Sequence, residues 1–323
     1  MAKAVGWGLI GSTSWGDHTF GPAISAARGA KLAAVLSSKR AHAEAFCKKH
    51  GASSGYTDLD AFLADPAVEA VWVAGPTDLH KEQTLAALKA GKHVLCEKPM
   101  AVTAKDCAAM VRAGERSGLI VGLGYNNRHH PDFRAAHRDW TKGVYGKPVH
   151  VRIHLVVPSP DTKIGWRAEP KKSGGWAIGN VGTHLIDLAR WFMGDVTETY
   201  GHLSNLAWGI KVDDHSLVSV GFQNGGSATI MAGMGRVFGG TGRLELYGTK
   251  GWVIFDSALF GGGGTVTTSV NGAKPRTKQL KPVNTYARQV EAFDLAVRGG
   301  PAFEANARDG LENLKVMEKA RGW

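Results

Sequence analysis

Cysteine is scarce in this sequence. Only Cys47, Cys96 and Cys107 occur among 323 residues, and their spacing matches neither a disulfide framework nor a metal-binding motif. We therefore expect reduced thiols, no metal site and a cytoplasmic protein.

Long apolar runs are also absent. No stretch approaches the roughly 20 apolar residues that cross a bilayer. The opening residues hold one lysine and an apolar run that glycines interrupt, which is not the architecture of a signal peptide. The sequence thus predicts no membrane association. A composition of 43% hydrophobic and 21% charged residues is that of a soluble globular protein, and the length suffices for two domains.

Negative charge is in deficit, with 28 acidic against 39 basic residues and a net charge of +11. Such an excess would suit an acidic partner such as nucleic acid. The basic residues are scattered, however, and the chain has no basic arm or aromatic-studded sheet motif. We predict no nucleic-acid partner and a basic surface that attracts phosphorylated small molecules or is merely solvated.

Strands and helices alternate through the first half of the chain. Residues 4–10 form a strand pattern, a glycine turn and a helix starting near Gly21 follow, and a second strand runs from Lys31 to Leu36. This is a βαβ unit. The alternation continues to a strand at 119–124. The fold class is therefore α/β, with a doubly wound, parallel Rossmann sheet predicted for residues 1–124.

Strands dominate after residue 124. One helix at about 132–142 precedes seven strand-like segments, and two helices close the chain. The segments lie at 148–157, 197–206, 214–223, 227–235, 243–248, 251–256 and 265–270. Polar and apolar residues alternate in 214–223, as in half-buried antiparallel strands. We predict an α+β domain for residues 125–323, with a mostly antiparallel open sheet. It would bind substrate, and the protein would be a monomer or a homo-oligomer through this sheet.

A glycine turn follows the first strand. Gly11 and Gly16 have the spacing of the first and third glycines of G-x-G-x-x-G, with Thr13 in the middle position. Gly6, Gly8 and Gly11 match the pattern literally, but the first two lie inside the strand. Such a turn brings backbone N–H groups toward a pyrophosphate. Taken alone, this is a weak signal, because glycine turns after strands are common.

The end of the second strand lacks the acid that would bind the ribose of NAD. Ser37, Ser38, Lys39 and Arg40 stand there instead. Two hydroxyls and two cations suit a 2′-phosphate through charge-assisted hydrogen bonds. The alternative is that Lys39 and Arg40 merely start the next helix of a basic protein. On the charge argument we favour NADP(H) over NAD(H).

A charged pair stands at the end of another short apolar run. Glu97, Lys98 and Pro99 follow the predicted strand 93–96, and ligands of open α/β sheets bind at the carboxyl ends of strands. Pro99 restricts Lys98 to extended geometry. We predict a Lys98 ammonium held at the mouth of a crevice. Alone, these residues also fit a surface ion pair before a helix.

A histidine follows the glycine-rich start of segment 174–187. His184, Asp187 and Trp191 share a helix face, and Asn180 lies one turn before His184. Histidine can exchange a proton near neutral pH, as carbonyl reduction requires. The alternative is a core histidine whose hydrogen-bond partner is Asp187.

The Glu97-Lys98-Pro99 motif and the segment from Gly174 to Asp187, at this separation, resemble the glucose–fructose oxidoreductase and inositol dehydrogenase (Gfo/Idh/MocA) family. The resemblance covers the whole chain. The runs from His80 to Ala87 and Gly91 to Pro99, with Gly165-Trp166-Arg167, bring it toward the 1,5-anhydro-D-fructose reductase branch. It implies an NADP(H)-dependent oxidoreductase that interconverts a secondary alcohol and a ketone on a sugar, anhydrosugar or polyol.

The resemblance also implies roles for matching positions. His184 would exchange the proton of the reacting oxygen, and Lys98 would lie near nicotinamide and substrate, on a bond to Pro99 that can be cis. The predicted catalytic residues are Lys98, His184 and Asn180. The predicted cofactor-binding residues are Gly8, Gly11, Ser12, Thr13, Ser14, Ser37, Ser38, Lys39, Arg40, Ala74, Pro76, Thr77, His80, Glu97, Lys98, Trp166 and Arg167. The predicted substrate-binding residues are Lys98, Tyr125, Arg128, Trp166, Asn180, His184 and Tyr286.

One position departs from the family pattern. The usual acid one turn before the histidine is Asn180 here. An aspartate could orient the imidazole and favour its charged form, whereas asparagine can only hydrogen-bond. Proton transfer would then depend on Lys98 and His184. Alternatively, Asn180 would contact a different substrate hydroxyl. A second hypothesis, from a different class of protein, is a non-catalytic regulator that binds a dinucleotide or sugar.

Overall fold

The computed structural model describes residues 4–12, 15–159, 164–235 and 240–322. The chain forms two compact units, one of residues 1–126 with 284–311 and one of residues 127–283 with 312–323. The sequence-based division at residue 124 assigns 284–311 to the second domain. In the structure this segment belongs to the first unit.

The first unit contains a six-stranded sheet. Its strands are β1 Val5–Ile10, β2 Ala30–Leu36, β3 Ser54–Tyr56, β4 Ala70–Val73, β5 His93–Cys96 and β6 Val121–Leu123. They lie in the order β3-β2-β1-β4-β5-β6, and every pair is parallel. The predicted doubly wound sheet is confirmed. In this sheet the sequence-based prediction missed β3, a three-residue strand without an apolar run.

The α-helices of both units include the one predicted to start near Gly21, the one predicted at about 132–142 and the two predicted to close the chain. They are α1 Gly21–Ala26, α2 Arg40–His50, α3 Leu59–Leu63, α4 His80–Lys89, α5 Ala104–Ser117, α6 Pro131–Thr141, α7 Pro170–Ser173, α8 Thr183–Met193, α9 Thr285–Val297 and α10 Ala307–Arg321. Side chains cap several of them: Thr103 accepts from the N–H of Asp106 at the start of α5, and Asn284 accepts from that of Ala287 at the start of α9.

Helix α9 explains why residues 284–311 join the first unit. The rings of Phe293 on α9 and Trp7 on β1 lie 5.2 Å apart, and both side chains are fully buried. The indole Nε1 of Trp7 donates a 2.9 Å hydrogen bond to Asp294. Such burial of large aromatic side chains dominates core energetics, so α9 completes the Rossmann core.

The second unit contains an eight-stranded sheet. Its strands are β7 Pro148–Pro158, β8 Val196–Ser204, β9 His215–Phe222, β10 Ser227–Gly235, β11 Arg243–Gly248, β12 Gly251–Asp256, β13 Thr265–Val270 and β14 Arg276–Gln279. The order is β14-β13-β12-β11-β7-β10-β9-β8, with β7 and β10 parallel and the other pairs antiparallel. The predicted mostly antiparallel sheet is confirmed.

Helix α8 packs on one face of this sheet, against β7 and β10. Val151 and Ile153 of β7 and Leu185 of α8 are fully buried there. The opposite face is polar: Glu245 of β11 accepts hydrogen bonds from Arg152 at 2.6 Å and from Tyr247 at 2.7 Å. One covered face and one polar face account for the alternation of residues along the strands.

Across the four described ranges, no helix combines the length and apolar character needed to cross a membrane. Within the same ranges, no three histidine, cysteine or acidic side chains are grouped so that they could hold a metal ion.

Candidate active site

The carboxyl ends of β1, β4 and β5 meet at one edge of the first sheet. The N–H of Ala74 donates to Ile10 O at 2.9 Å, and that of Glu97 donates to Val73 O at 2.8 Å. Gly11, Ala74 and Glu97 therefore stand side by side where their strands end. The strand order reverses between β1 and β4, and in doubly wound sheets this is the point where a ligand binds.

The turn after β1 requires glycine. Gly11 has φ +121°, and a Cβ there would lie 2.8 Å from the carbonyl oxygen of Ala74. A Cβ on Gly16 would lie 2.3 Å from the carbonyl oxygen of Gly11. The backbone thus turns closely from β1 into a helical segment, a π-helical turn at Gly16–Phe20 followed by α1. This close approach fits a dinucleotide pyrophosphate. Gly8 lies inside β1, where a Cβ would meet the ring of Phe62, so it serves packing.

Asp17 stands in the first turn of that helical segment, where its negative charge would disfavour the binding of a phosphate. Asp17 accepts a 2.5 Å hydrogen bond from Lys49 and lies 2.8 Å from Nε2 of His50. These hydrogen bonds hold the pKa of Asp17 below its usual range. The two α2 side chains therefore offset an ionised carboxylate beside the glycine turn.

The end of β2 carries the residues predicted to read the adenosine ribose. The hydroxyls of Ser12 and Ser37 are 2.6 Å apart, which ties the glycine turn to β2. Ser38, Lys39 and Arg40 are exposed, and Nη1 of Arg40 donates to Gly55 O at 2.8 Å. Two cationic side chains and a hydroxyl are therefore accessible to solvent just after this strand ends.

His80 joins the loops after β4 and β5. Its Nε2 lies 3.0 Å from Gly75 O and its Nδ1 lies 3.0 Å from Pro99 O. Burial lowers the pKa of His80, although both carbonyl oxygens act in the opposite direction. A neutral imidazole donates through one nitrogen only. Thr77 is buried just before it, and Ala74 and Pro76 are half-buried.

Lys98 follows β5 on a loop that Glu97 anchors. The Lys98–Pro99 peptide bond is cis, and Lys98 is half-buried. Glu97 is 7% exposed and accepts from Nε1 of Trp72 at 3.1 Å. Burial raises the pKa of Glu97, while the Lys98 ammonium and the Trp72 hydrogen bond act in the opposite direction. Burial and the Glu97 charge also raise the pKa of Tyr286, which is half-buried in the same unit.

In the second unit, His184 lies in the first turn of α8 and is 3% exposed. Asn180 lies just before it, in a π-helical turn at Ile178–Gly182, where its Nδ2 lies 3.9 Å from Sδ of Met234. The sequence analysis did not predict this π-helical turn, because one additional residue in a single turn does not change the periodicity of apolar residues detectably. The imidazole of His184 lies against the ring of Phe260, with centroids 4.8 Å apart at 88°.

Asp213 holds the glycine-rich segment before α8. Its carboxylate accepts from the N–H of Trp176 at 2.9 Å and from that of Ile178 at 2.7 Å. Burial raises the pKa of Asp213, against the opposing effect of those two N–H groups and of Arg321. No sequence pattern indicates this role, because Asp213 is more than 30 residues away from its partners along the chain.

The carboxylate of Asp187 binds Arg128. Nε and Nη2 of Arg128 donate to its two oxygens at 2.8 and 2.6 Å, and Asn313 donates to Oδ1 at 2.9 Å. Arg128 is 3% and Asp187 1% exposed. The guanidinium predicted to bind substrate is therefore engaged in a buried ion pair, which orders the inner face of α8.

The remaining predicted residues divide between the units. Trp166 and Arg167 lie in a 3₁₀ turn at Gly165–Ala168 of the second unit, with the Arg167 guanidinium 4.6 Å from the centre of the Trp166 ring. Burial lowers the pKa of Arg167. Tyr125 is buried in the first unit at 1% exposure. Thr13 and Ser14 lie outside the described residues.

The first unit is thus a dinucleotide-binding domain, and the second is an α+β domain with a buried histidine at a helix start. The family model for oxidoreductases with an NAD-binding Rossmann fold matches residues 5–125, and that for the GFO/IDH/MocA C-terminal domain matches residues 133–254.

Known proteins resemble the chain over almost its whole length. The 1,5-anhydro-D-fructose reductase of Ensifer adhaerens is 31% identical over 310 residues, 95% of this chain and 92% of that protein. The D-xylose 1-dehydrogenase (NADP(+)) 2 of Haloferax volcanii is 28% identical over 319 residues, 96% and 94% of the two chains. The structure of the aldose-aldose oxidoreductase from Caulobacter crescentus complexed with glycerol superposes with a TM-score of 0.89, at 25% identity and 99% and 98% coverage.

The chain belongs to the Gfo/Idh/MocA family. It is an NAD(P)-dependent oxidoreductase of a family that acts on sugars and polyols. The resemblance found in the sequence is confirmed.

Proposed function

We propose that this protein is an NADP(H)-dependent oxidoreductase that interconverts a secondary alcohol and a ketone on a sugar, anhydrosugar or polyol. The observation that carries the proposal is the position of Lys98. It lies two residues after the end of β5, beside the ends of β1 and β4, at the edge where doubly wound sheets bind ligands.

The roles follow from the chemistry of each group. When bound, the nicotinamide supplies or accepts the hydride. His184 takes the hydroxyl proton in the oxidation direction and returns it to the oxygen in the reduction direction. Lys98 polarises the reacting oxygen and stabilises its developing negative charge. Asn180 offers an amide for hydrogen bonding in place of an acid.

Three observations support the proposed cofactor, substrate class and cellular location. The exposed Ser38, Lys39 and Arg40 favour NADP(H), because a 2′-phosphate gains charge-assisted hydrogen bonds there. The relatives above include an NADP-dependent sugar dehydrogenase and an anhydrosugar reductase. All three cysteines are free thiols, which supports a cytoplasmic location.

For any self-association we propose the polar face of the second sheet. Tyr200 on β8 and Leu217 on β9 point to that face, at 68% and 39% exposure. Sedimentation velocity of the wild type and of Tyr200→Glu tests this. If the wild type is a monomer, this face does not mediate self-association. The same conclusion follows if the wild type is an oligomer that Tyr200→Glu does not weaken.

The function is tested by nicotinamide absorbance with NADP(H) and NAD(H) against aldoses, ketoses, anhydrosugars, inositols and glycosides. We expect turnover with one of these groups and faster turnover with NADP(H). Lys98→Ala and His184→Ala should each reduce kcat by roughly a hundredfold or more. Arg138→Ala, on the outside of α6, is the control. Near-normal turnover in both site variants would remove these roles, and cofactor binding without turnover of any compound would favour a regulator.

A further inference from the structure

Phe260 adopts a backbone conformation that its side chain disfavours. It has φ +58° and ψ +28°, in the left-handed region. Only glycine enters this region without a steric cost, and a bulky residue there is an outlier. Four glycines follow at 261–264, so the local sequence is rich in residues that would avoid the cost. Strained positions of this kind persist when the surroundings hold them, and they cluster at functional sites.

The surroundings do hold this position. The N–H of Phe260 donates a 2.6 Å hydrogen bond to Oδ1 of Asn127, a side chain only 1% exposed. The neighbouring Ala258 and Leu259 are buried. Beyond the strained residue, Val283 N donates to Gly261 O at 2.9 Å. The loop backbone is therefore held on both sides of Phe260, which sets the direction of its Cα–Cβ bond.

That direction brings the ring onto His184. The two rings are edge-to-face, with centroids 4.8 Å apart and planes at 88°, a favoured geometry for aromatic contacts. His184 is 3% exposed, whereas Phe260 is half-buried. The contact joins residues 76 positions apart in the chain, and it confines the imidazole on one side. Asn127, Phe260 and His184 all belong to the second unit.

We propose that Phe260 is a positioning residue for His184: the Asn127 hydrogen bond fixes the strained Phe260 backbone, and the ring in turn fixes the imidazole for proton exchange with the substrate. The inference rests on the proposed function of His184. A proton donor must keep a narrow geometry, because a misplacement of about 1 Å can cost a hundredfold in rate. A role in holding the catalytic imidazole in place explains why an aromatic side chain occupies a position whose backbone conformation favours glycine.

The decisive variant is Phe260→Gly. It removes the ring and also the backbone strain, so the fold is not expected to lose stability. Phe260→Tyr keeps the ring. We expect Phe260→Gly to lower kcat by roughly ten- to a hundredfold, with a smaller change in KM and a melting temperature near that of the wild type. Phe260→Tyr should retain most activity. Asn127→Ala should lower kcat in the same direction, because it frees the loop backbone.

A second measurement reads the contact without turnover. The ring-proton resonances of His184, assigned by comparison with His184→Gln, should carry a ring-current shift from Phe260. The shift should disappear in Phe260→Gly and remain in Phe260→Tyr. Trp252→Ala, which removes another half-buried aromatic side chain of the second unit, should leave both the shift and kcat unchanged.

The outcomes separate the two proposals. If no sugar or polyol is turned over by the wild type, the proposed function fails, and the resonance shift still decides the contact. If His184 resonances are the same in Phe260→Gly as in the wild type, the positioning role is overturned. It is also overturned if Phe260→Gly keeps the wild-type kcat on a substrate that requires His184.

Discussion

The indole of Trp72 donates a 3.1 Å hydrogen bond to Oε1 of Glu97, so a buried carboxylate is anchored directly before Lys98. A Cβ on Gly124 would lie 2.6 Å from the same oxygen, which shows how closely the backbone that follows β6 approaches the carboxylate. Burial raises the pKa of Glu97, and the Lys98 charge acts against that shift. The interaction is mutual: an ionised Glu97 favours the ammonium form of Lys98.

Glu97→Gln keeps an acceptor for Trp72 and removes the charge. We therefore expect the alkaline limb of the kcat/KM profile to move to lower pH, because the Lys98 ammonium loses its negative neighbour. The measurement is kcat/KM from pH 6 to about 10, the range that reaches the ordinary lysine pKa. Glu82→Gln, which removes an exposed carboxylate of α4 in the same unit, is the matched control. An alkaline limb unmoved in Glu97→Gln would show that this charge does not act on Lys98.

Arg40→Ala tests the choice of cofactor. Arg40 is exposed at the end of β2, and loss of a charge-assisted hydrogen bond to a 2′-phosphate should weaken NADPH binding by roughly tenfold or more. NADH binding should change by less than about twofold, because NADH lacks this phosphate. Fluorescence titration with both cofactors gives the two dissociation constants. Lys48→Ala, an exposed cation of the same helix α2, is the control. Equal losses for NADPH and NADH would mean that Arg40 does not read the phosphate.

Asn180→Asp restores the acid that the family pattern has before the histidine. The added charge favours the imidazolium form of His184. We expect the midpoint of the acid limb of kcat/KM, in the oxidation direction, to move to higher pH. Asn180→Ser, which adds no charge, should leave the midpoint in place. If Asn180→Asp leaves the profile unchanged, Asn180 and His184 are not electrostatically coupled.

Asp294 makes stability depend on pH. Burial raises its pKa to about 7, against the opposing hydrogen bond from Trp7. Between the ordinary value of 3.8 and about 7, the folded state keeps a proton that the unfolded chain loses. The free energy of unfolding should therefore fall by roughly 2–4 kcal/mol in total as pH rises through this window. Above the window it should level off.

Asp294→Asn keeps an acceptor for Trp7 and cannot ionise. It should remove this slope and be more stable than the wild type at pH 8, while the two proteins converge near pH 4. Urea unfolding at fixed pH values, followed by tryptophan fluorescence, measures the difference. Glu44→Gln on the exposed side of α2 should follow the wild type. A slope that persists in Asp294→Asn must come from other groups.

The order of elements could be predicted from the sequence because periodicity reports burial locally. β1, β4 and β5 are continuous apolar runs, as strands covered on both faces must be, and β9 alternates as a half-buried strand does. The two missed strands lack that signal for physical reasons. β3 has three half-buried residues, and β14, Arg276–Gln279, is an edge strand exposed along its whole length.

The sequence also indicated which residues belong to the candidate site. Gly11, Lys98 and His184 belong to motifs whose residue types and spacing follow from a glycine turn, a strand end and a helix start. Asn127, Asp213 and Phe260 gave no such signal, because their partners lie 30 or more residues away along the chain. The partner of Asp187 likewise was decided by folding, which brought Arg128 rather than a local side chain to its carboxylate.

What the sequence by itself determined is the α/β fold and the family, and from these we predict the residues that would hold a dinucleotide and exchange a proton. The tertiary structure decided how those residues are held: α9 joins the Rossmann core through Trp7 and Asp294, and Asn127 sets Phe260 against His184. The division has one physical reason. Local patterns report backbone preference and burial, whereas contacts between distant residues exist only after the chain has packed.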